Sequence, residues 1–387
     1  MSARVLDIQM YPVDVLSFRK PRPFRVGGYA ETEFMPPPGT VALGLTAQLY
    51  LAGLLKARSF GDLLAKVGER VIFHGPILAK QRQLYVPSPL DMAKCPNPEC
   101  KKAFLSRWRK SPKDGEIPWP IHKCGRPGKT LEGYFMSSIY LPKRGDREWE
   151  LNNLGTLLKI EEVFKKEVRP GLSLEREFKR VRFGFFYQAE WVQIKPGYNL
   201  HEFVTVKDEN WGRALSQVKM LRLGRKGRPT ELRAVRWLSP EEYYRELTGL
   251  DMGKTAHRIS SDRAFDLILL TPAIFLKDGV CRSEPVDLPT SGIELIGIAT
   301  DKPVNVSGWD FEHEAPRAMY YAAPAGTVYR YRLKNDLTPP EIKNHVIRPI
   351  ILENVGHWRV IGYGTAIVVP LPSSTERSKL SARGDHP

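Results

Sequence analysis

The sequence has no apolar run long enough to cross a bilayer: the longest, Val41 to Leu55, is interrupted by Thr46 and Gln48 and falls short of the ~20 residues a span requires. A leader is not expected either. Ser2 to Tyr11 alternates like a strand instead of presenting a charged stretch and then an apolar one, so the expected location is the cytoplasm, with no membrane partner. Four cysteines in 387 residues are too few for a disulfide framework. No phosphate-binding glycine loop, no His-Asp pair and no Gly-Gly-Asp-Asp run occurs, which leaves ATPase and polymerase chemistry without residues. Acidic residues are in deficit, 43 Asp/Glu against 59 Lys/Arg, for a formal charge of +16. The excess is concentrated. Lys94 to Arg147 holds thirteen Lys/Arg against five Asp/Glu, and Arg213 to Arg236 holds eight against Glu231 alone. Solvated basic faces would account for this, but the aromatics mixed into both stretches favour a nucleic-acid partner.

What is present begins with Phe18 to Leu55. Arg19, Lys20, Arg22 and Arg25 alternate with Phe18, Phe24 and Tyr29, and Gly27-Gly28 follow. Cations suit phosphates, rings suit bases, and glycine permits close backbone approach. Pro36-Pro37-Pro38 then stops any strand and sets a helix start. Val41, Leu45, Leu49, Ala52 and Leu55 give that helix an apolar face, which Leu43, Leu51 and Leu54 widen so far that most of it is expected to be buried.

A chain of this length exceeds the roughly 250 to 300 residues at which a single core stops growing, so two lobes are expected, each α+β. Strand signals at Val5 to Met10, Val71 to Phe73 and Gln83 to Val86 surround two helices, an order compatible with half of a ferredoxin-like fold. Met92 to about Thr130 reads as an insertion with few apolar residues. Leu151 to Val168 has helical spacing, Arg180 to Ile194 is strongly β-prone, and Pro240 to Leu247 reads as a helix. Later strands are expected at Phe265–Phe275, Ile293–Ala299, Ala318–Tyr331, Ile347–Val355 and Gly364–Val369, and the polar tail 373–387 is expected to be disordered.

Three places carry candidate chemistry. Cys95, Cys100, His122 and Cys124 offer three thiolates and an imidazole, enough for a tetrahedral structural zinc that would order a loop lacking a core. Free surface thiols are the alternative, because the spacing is irregular. Cys281 stands alone and reads as a small packed residue. The loop Gly224 to Pro229 places Arg225, Lys226 and Arg228 among glycines, which fits either an exposed hairpin tip or a loop that tracks phosphates. Gly356 to Gly364, with His357, Arg359 and Gly362, fits either a tight turn between core strands or a loop that approaches RNA. His74, His201 and His257 lie near basic or aromatic residues, yet none shares a motif with a carboxylate or nucleophile, so no active site is expected.

Several of these stretches also carry a resemblance. Arg22-Pro23-Phe24, Gly27-Gly28, Ala30-Glu31, Pro37-Pro38, Thr40 and Leu45 together resemble the amino-terminal signature of the RAMP proteins of CRISPR effector complexes, and among them the third subunit of the type III-B (Cmr) complex. Arg169, Gly171, Leu172, Gly184, Tyr187 and Glu190 resemble a mid-chain block of that subunit, while Ala323 to Tyr329 and Gly356 to Gly364 resemble its carboxyl-terminal strand and glycine loop. The resemblance implies two ferredoxin-like (RRM-like) lobes, 1–195 with the Cys-rich insertion at 92–130, and 196–372. It also implies a non-catalytic subunit that holds the 5′ tag of crRNA and bridges the large polymerase-like subunit to the backbone RAMP subunits, meeting target RNA indirectly. Under it, Arg180 and Arg182 join the RNA-binding candidates, and the 224–229 loop is assigned to RNA. A stand-alone RAMP endoribonuclease that processes repeat RNA and the equivalent type III-A subunit are the alternatives.

Overall fold

A computed structural model describes residues 4–21, 29–111, 115–145, 148–151, 155–174, 181–286, 288–310 and 314–372. Two sheets dominate. The centre of the first is built from β1 (Arg4–Pro12), β2 (Val71–Lys80), β3 (Tyr198–Val206) and β4 (Arg228–Leu238), in the order β2-β3-β1-β4 with every neighbour antiparallel. The centre of the second is built from β5 (Ala264–Leu269), β6 (Ile293–Ala299), β7 (Val328–Leu333) and β8 (Ala366–Pro370), in the order β6-β7-β5-β8, again antiparallel. The two quartets follow one permutation. Helices α1 (Pro38–Leu51) and α2 (Phe60–Arg70) connect β1 to β2, and α3 (Glu209–Gln217) leads from β3 towards β4. In the second quartet the first connection holds a hairpin, Phe275–Lys277 with Val280–Arg282, where the first quartet has helices.

β1 shows why its sequence does not alternate simply between apolar and polar. Leu6, Ile8 and Met10 enter the core under α1, while Val5 on the other face enters the core shared with the second sheet. Both faces are therefore covered, and Asp7 is fully buried on the second one, held by Arg236 at 2.7 Å and His201 at 2.8 Å. A buried charge persists only with such partners. The helices α4 (Pro240–Thr248) and α5 (Met252–Asp262) fill the space between the sheets, where the Tyr244 hydroxyl donates to the Val368 carbonyl.

Several expectations are corrected. The expected helix Leu151 to Val168 is one helical turn, Ile160–Val163, between the strands Leu157–Lys159 and Phe164–Leu174. Pairing of Phe164–Leu174 with Val181–Ile194, from Phe164↔Ile194 onward, overrides the local spacing. The expected strand Ile347 to Val355 is helical: Thr338-Pro339-Pro340-Glu341 forms a capping box, and Val346, Ile347, Ile350 and Ile351 are buried on one helical face. Leu51, the last residue of α1, and Leu54 just beyond it are exposed. The boundary expected at 195/196 falls inside the first sheet, since β3 and β4 pair with β1. Chain order does not group these strands; hydrogen bonding does.

The cysteine insertion also departs from expectation, because it shares in a core. Met92 and Ala103, with Leu131 and Trp149 that follow the insertion, are buried in the cluster that contains the second sheet. Its hairpin, Arg107–Ser111 with Gly115–Trp119, extends that sheet beyond β6. A buried charge network ties the two. Arg144 donates through Nε to Asp91 at 2.9 Å and through a terminal nitrogen to Asp266 at 2.5 Å, and Arg330 donates to Asp266 at 2.8 Å and lies over Trp108. Arg144 and both carboxylates have no exposed side-chain surface.

Candidate nucleic-acid interface

The segment from Leu16 to Thr32 is pinned at its base. Leu16 exchanges backbone hydrogen bonds with Val192, the Phe18 amide donates to Thr32 Oγ1 at 2.7 Å, and the Lys20 amide donates to the Glu31 carbonyl. Glu190 anchors the returning side: its carboxylate accepts from the Tyr29 hydroxyl (2.6 Å), the Thr32 amide (3.0 Å) and Lys166 (2.8 Å). Burial acts to push the Glu190 carboxyl up, but these donors outweigh it and hold it at about 2, and the same contact pushes Tyr29 up to about 12. Arg22, Arg25, Gly27 and Gly28 lie outside the described residues, as do Arg180 and the tail 373–387. Arg182 lies on the strand Val181–Ile194.

The pinned segment forms one wall of a groove of about 1550 Å³. Arg19, Arg222, Arg225 and Arg317 reach it from three separate parts of the chain, and α1 lines it with Leu43, Gly44, Ala47 and Tyr50. Arg225 lies over the Tyr187 ring at 4.5 Å, and its amide donates to the Ser17 carbonyl. Gly224 permits that approach: with φ of +62°, a Cβ there would stand 2.6 Å from the same carbonyl oxygen. Lys226 is exposed at the hairpin tip. Arg228 is engaged by Asp14 at 2.6 Å and lies over Trp191, so it holds the hairpin to the body. Lys20 pairs with Glu31 at 3.3 Å.

The carboxyl-terminal glycine loop reaches the groove through Trp358, Ile361 and Tyr363. Trp358 packs edge-on against Phe60 and Tyr320. His357 turns towards Tyr320, its amide donating to Ile274, and partial desolvation lowers its imidazole below the usual range. Arg359 pairs with Glu353 at 3.7 Å. The glycines answer to the protein itself. A Cβ on Gly364 would lie 1.8 Å from the Val355 carbonyl oxygen, and one on Gly362 would lie 2.9 Å from the Gly75 carbonyl oxygen and 3.1 Å from the Pro38 ring. Gly362 thus packs closely against Gly75 and Pro38.

Sequence reading missed two cations of the groove. Arg222 was legible, since Met220–Leu223 alternates exposed and buried and Arg222 falls on the exposed side. Arg317, over the Phe60 ring, carries no local signal and meets that ring only through tertiary folding.

The insertion gathers its expected ligands. Cys95, Cys100 and His122 present donor atoms within 4.8 Å of one another. Cys124 Sγ lies 3.8 Å from Cys95 Sγ and 3.0 Å from His122 Nδ1, while Cys100 Sγ is 3.9 Å from His122 Nε2. Two thiolates on one tetrahedral zinc stand roughly 3.8 Å apart, given a Zn–S length of about 2.3 Å, so the Cys95–Cys124 separation fits that ion. Cys281 is half-buried and accepts from the Tyr321 amide.

No curated protein matches the chain in sequence. Among solved structures, a chain of the type III-B Cmr-beta assembly bound to cognate target RNA is 15% identical, with 84% of this chain and 86% of that chain covered and a TM-score of 0.50. A chain of the Csm3-Csm4 subcomplex of the type III-A CRISPR-Cas interference complex is 13% identical over 95% of this chain and 100% of that one, with a TM-score of 0.45. At such identities the first likeness is one of fold. No helix among the described residues is long and apolar enough to cross a membrane. The model of the family described as CRISPR-associated protein (Cas_Cmr3) matches residues 8–371, nearly the whole chain, and the chain belongs to that family.

Proposed function

We propose that this protein is the crRNA-binding subunit of a type III-B interference complex, holding the 5′ tag of the guide and bridging the large subunit to the backbone subunits. The observation that carries the RNA role is the groove, where four arginines from three chain segments surround an apolar floor with the exposed ring of Tyr50 at its edge. Arginine forks suit phosphate oxygens, and an open ring suits an unstacked base. Family membership, and the RNA-bound assembly whose chain shares this fold, support the place in a complex. The identical permutation of the two strand quartets supports two ferredoxin-like lobes, and the converging donor set supports a structural zinc held by Cys95, Cys100, His122 and Cys124. The role we propose is binding without catalysis; His74 and His201 are buried in polar contacts with Asn354, Thr205 and Asp7, and His257 is exposed on α5.

The test is crRNA binding across a salt series. Arg222→Glu with Arg225→Glu should weaken binding and flatten the plot of log affinity against log salt by about 0.7 for each single-strand phosphate that the protein no longer neutralises. Equal affinity and slope in the double variant would remove the groove as the RNA surface. Incubating the wild-type protein with repeat RNA in chelator should leave the RNA intact, and specific cleavage would replace the binder with a nuclease.

A further inference from the structure

We propose that Glu148 is the positioning residue of the metal centre, fixing the His122 tautomer so that Nδ1 carries the coordinating lone pair. This rests on the reading of Cys95, Cys100, His122 and Cys124 as a metal site.

The two ring nitrogens of His122 face different chemistry. Nε2 lies 3.2 Å from Glu148 Oε1 with Cys100 Sγ farther off at 3.9 Å, and Nδ1 lies 3.0 Å from Cys124 Sγ. An ionised carboxylate only accepts, so the proton of a neutral imidazole facing it sits on Nε2. The lone pair is then left on Nδ1, towards Cys124 and, 3.8 Å beyond it, Cys95. Histidine ligands generally donate their other N–H to such a carboxylate, which orients the ring and strengthens the donor. His122 is buried and its ring packs on Phe104 at 5.0 Å, so Glu148 acts on a ring already confined.

Glu148 is itself held in place. Lys123 donates to its Oε2 at 2.9 Å and Lys102 stands 3.5 Å from the same oxygen, which keeps the carboxylate ionised beside the ring. The strand Trp149–Glu150 pairs with Ala103 and Lys102, in the strand directly after Cys100, so backbone register delivers Glu148 to the cluster. The hairpin Arg107–Ser111 with Gly115–Trp119 lies between the two pairs of ligands in sequence. A metal there would close the base of the hairpin that extends the second sheet.

The experiment uses full-length, metal-free protein titrated with cobalt(II), whose visible spectrum reports the ligand set, and with zinc against a chromophoric chelator. The wild type should bind about one equivalent as a tetrahedral thiolate-rich site. Glu148→Ala should weaken metal binding about 10- to 100-fold with an unchanged cobalt spectrum. Glu148→Gln, whose amide oxygen still accepts from Nε2–H, should recover most of that loss. Wild-type protein that binds no metal would defeat the underlying metal reading. Wild-type binding with equal affinity in Glu148→Ala would defeat the positioning role alone. A changed spectrum in Glu148→Ala would make Glu148 a ligand, and equal losses in the Ala and Gln variants would reduce it to a partner of the lysines; either result overturns the proposal.

Discussion

At the scale of single residues, Glu190 is where the amino-terminal wall of the groove depends on pH. Its folded pKa of about 2 lies below the ordinary 4.5, so its ionised form stabilises the fold above the ordinary value, and that stability is lost as pH falls towards 2. Thermal melts between pH 6 and pH 3 should therefore show a shallower acid loss in Glu190→Gln than in wild type, and parallel curves would refute the assignment. Tyr50 offers a second test. Its ring is 61% exposed beside the groove, so Tyr50→Ala should leave the melting temperature nearly unchanged while weakening crRNA binding by about 1 to 3 kcal/mol if a base stacks there. The glycines behave differently. With a carbonyl oxygen 1.8 Å from the site of its missing Cβ, Gly364 tolerates no side chain without backbone movement, so Gly364→Val should lower stability first and binding only through unfolding.

At the scale of elements, the carboxyl-terminal loop is joined to the first sheet through Asn354. Its amide nitrogen donates to the carbonyls of Phe73 (2.7 Å) and Arg359 (2.8 Å), its oxygen meets His74 Nδ1 at 2.5 Å, and the Phe73 amide donates to Val360. His74 is wholly buried, and desolvation lowers its pKa to about 4, so the joint is neutral at ordinary pH. Asn354→Ala would strand two carbonyls and an imidazole. Each unsatisfied buried group costs about 1 to 3 kcal/mol, and the expected result is a large drop in the denaturation midpoint; a loss below about 1 kcal/mol would mean that the loop docks by packing alone. Local sequence could not announce this joint. An asparagine in a glycine-rich turn reads as turn chemistry, and its partners Phe73 and His74 lie about 280 residues away.

At the scale of the whole molecule, the insertion and its flanks meet the second sheet around the Asp91–Arg144–Asp266–Arg330 network. Removing one member leaves an uncompensated buried charge, which typically costs about 3 to 5 kcal/mol. Asp266→Ala should destabilise the protein by that amount in chemical denaturation, and a loss under about 1 kcal/mol would show that the network is not the joint between insertion and second sheet.

What the sequence determined by itself was local or additive. The proline stop before α1, the helix from Pro240, the strand-like opening, the basic excess and the four metal-donor residues are properties of neighbouring side chains or of composition, and the first two were legible almost to the residue. Tertiary structure decided which of these features meet. It made a hairpin of Phe164–Leu174 against its local spacing, because cross-strand pairing outweighs weak propensity. It assigned Arg228 and Gly362 to packing rather than to an open surface, since Asp14, Gly75 and Pro38 are near them only in the fold. It brought Arg19, Arg222, Arg225 and Arg317 to one groove across nearly three hundred residues of chain. The physical reason is that a charge or a ring is encoded where it stands, whereas a groove is encoded only by the long-range burial that closes the chain around it.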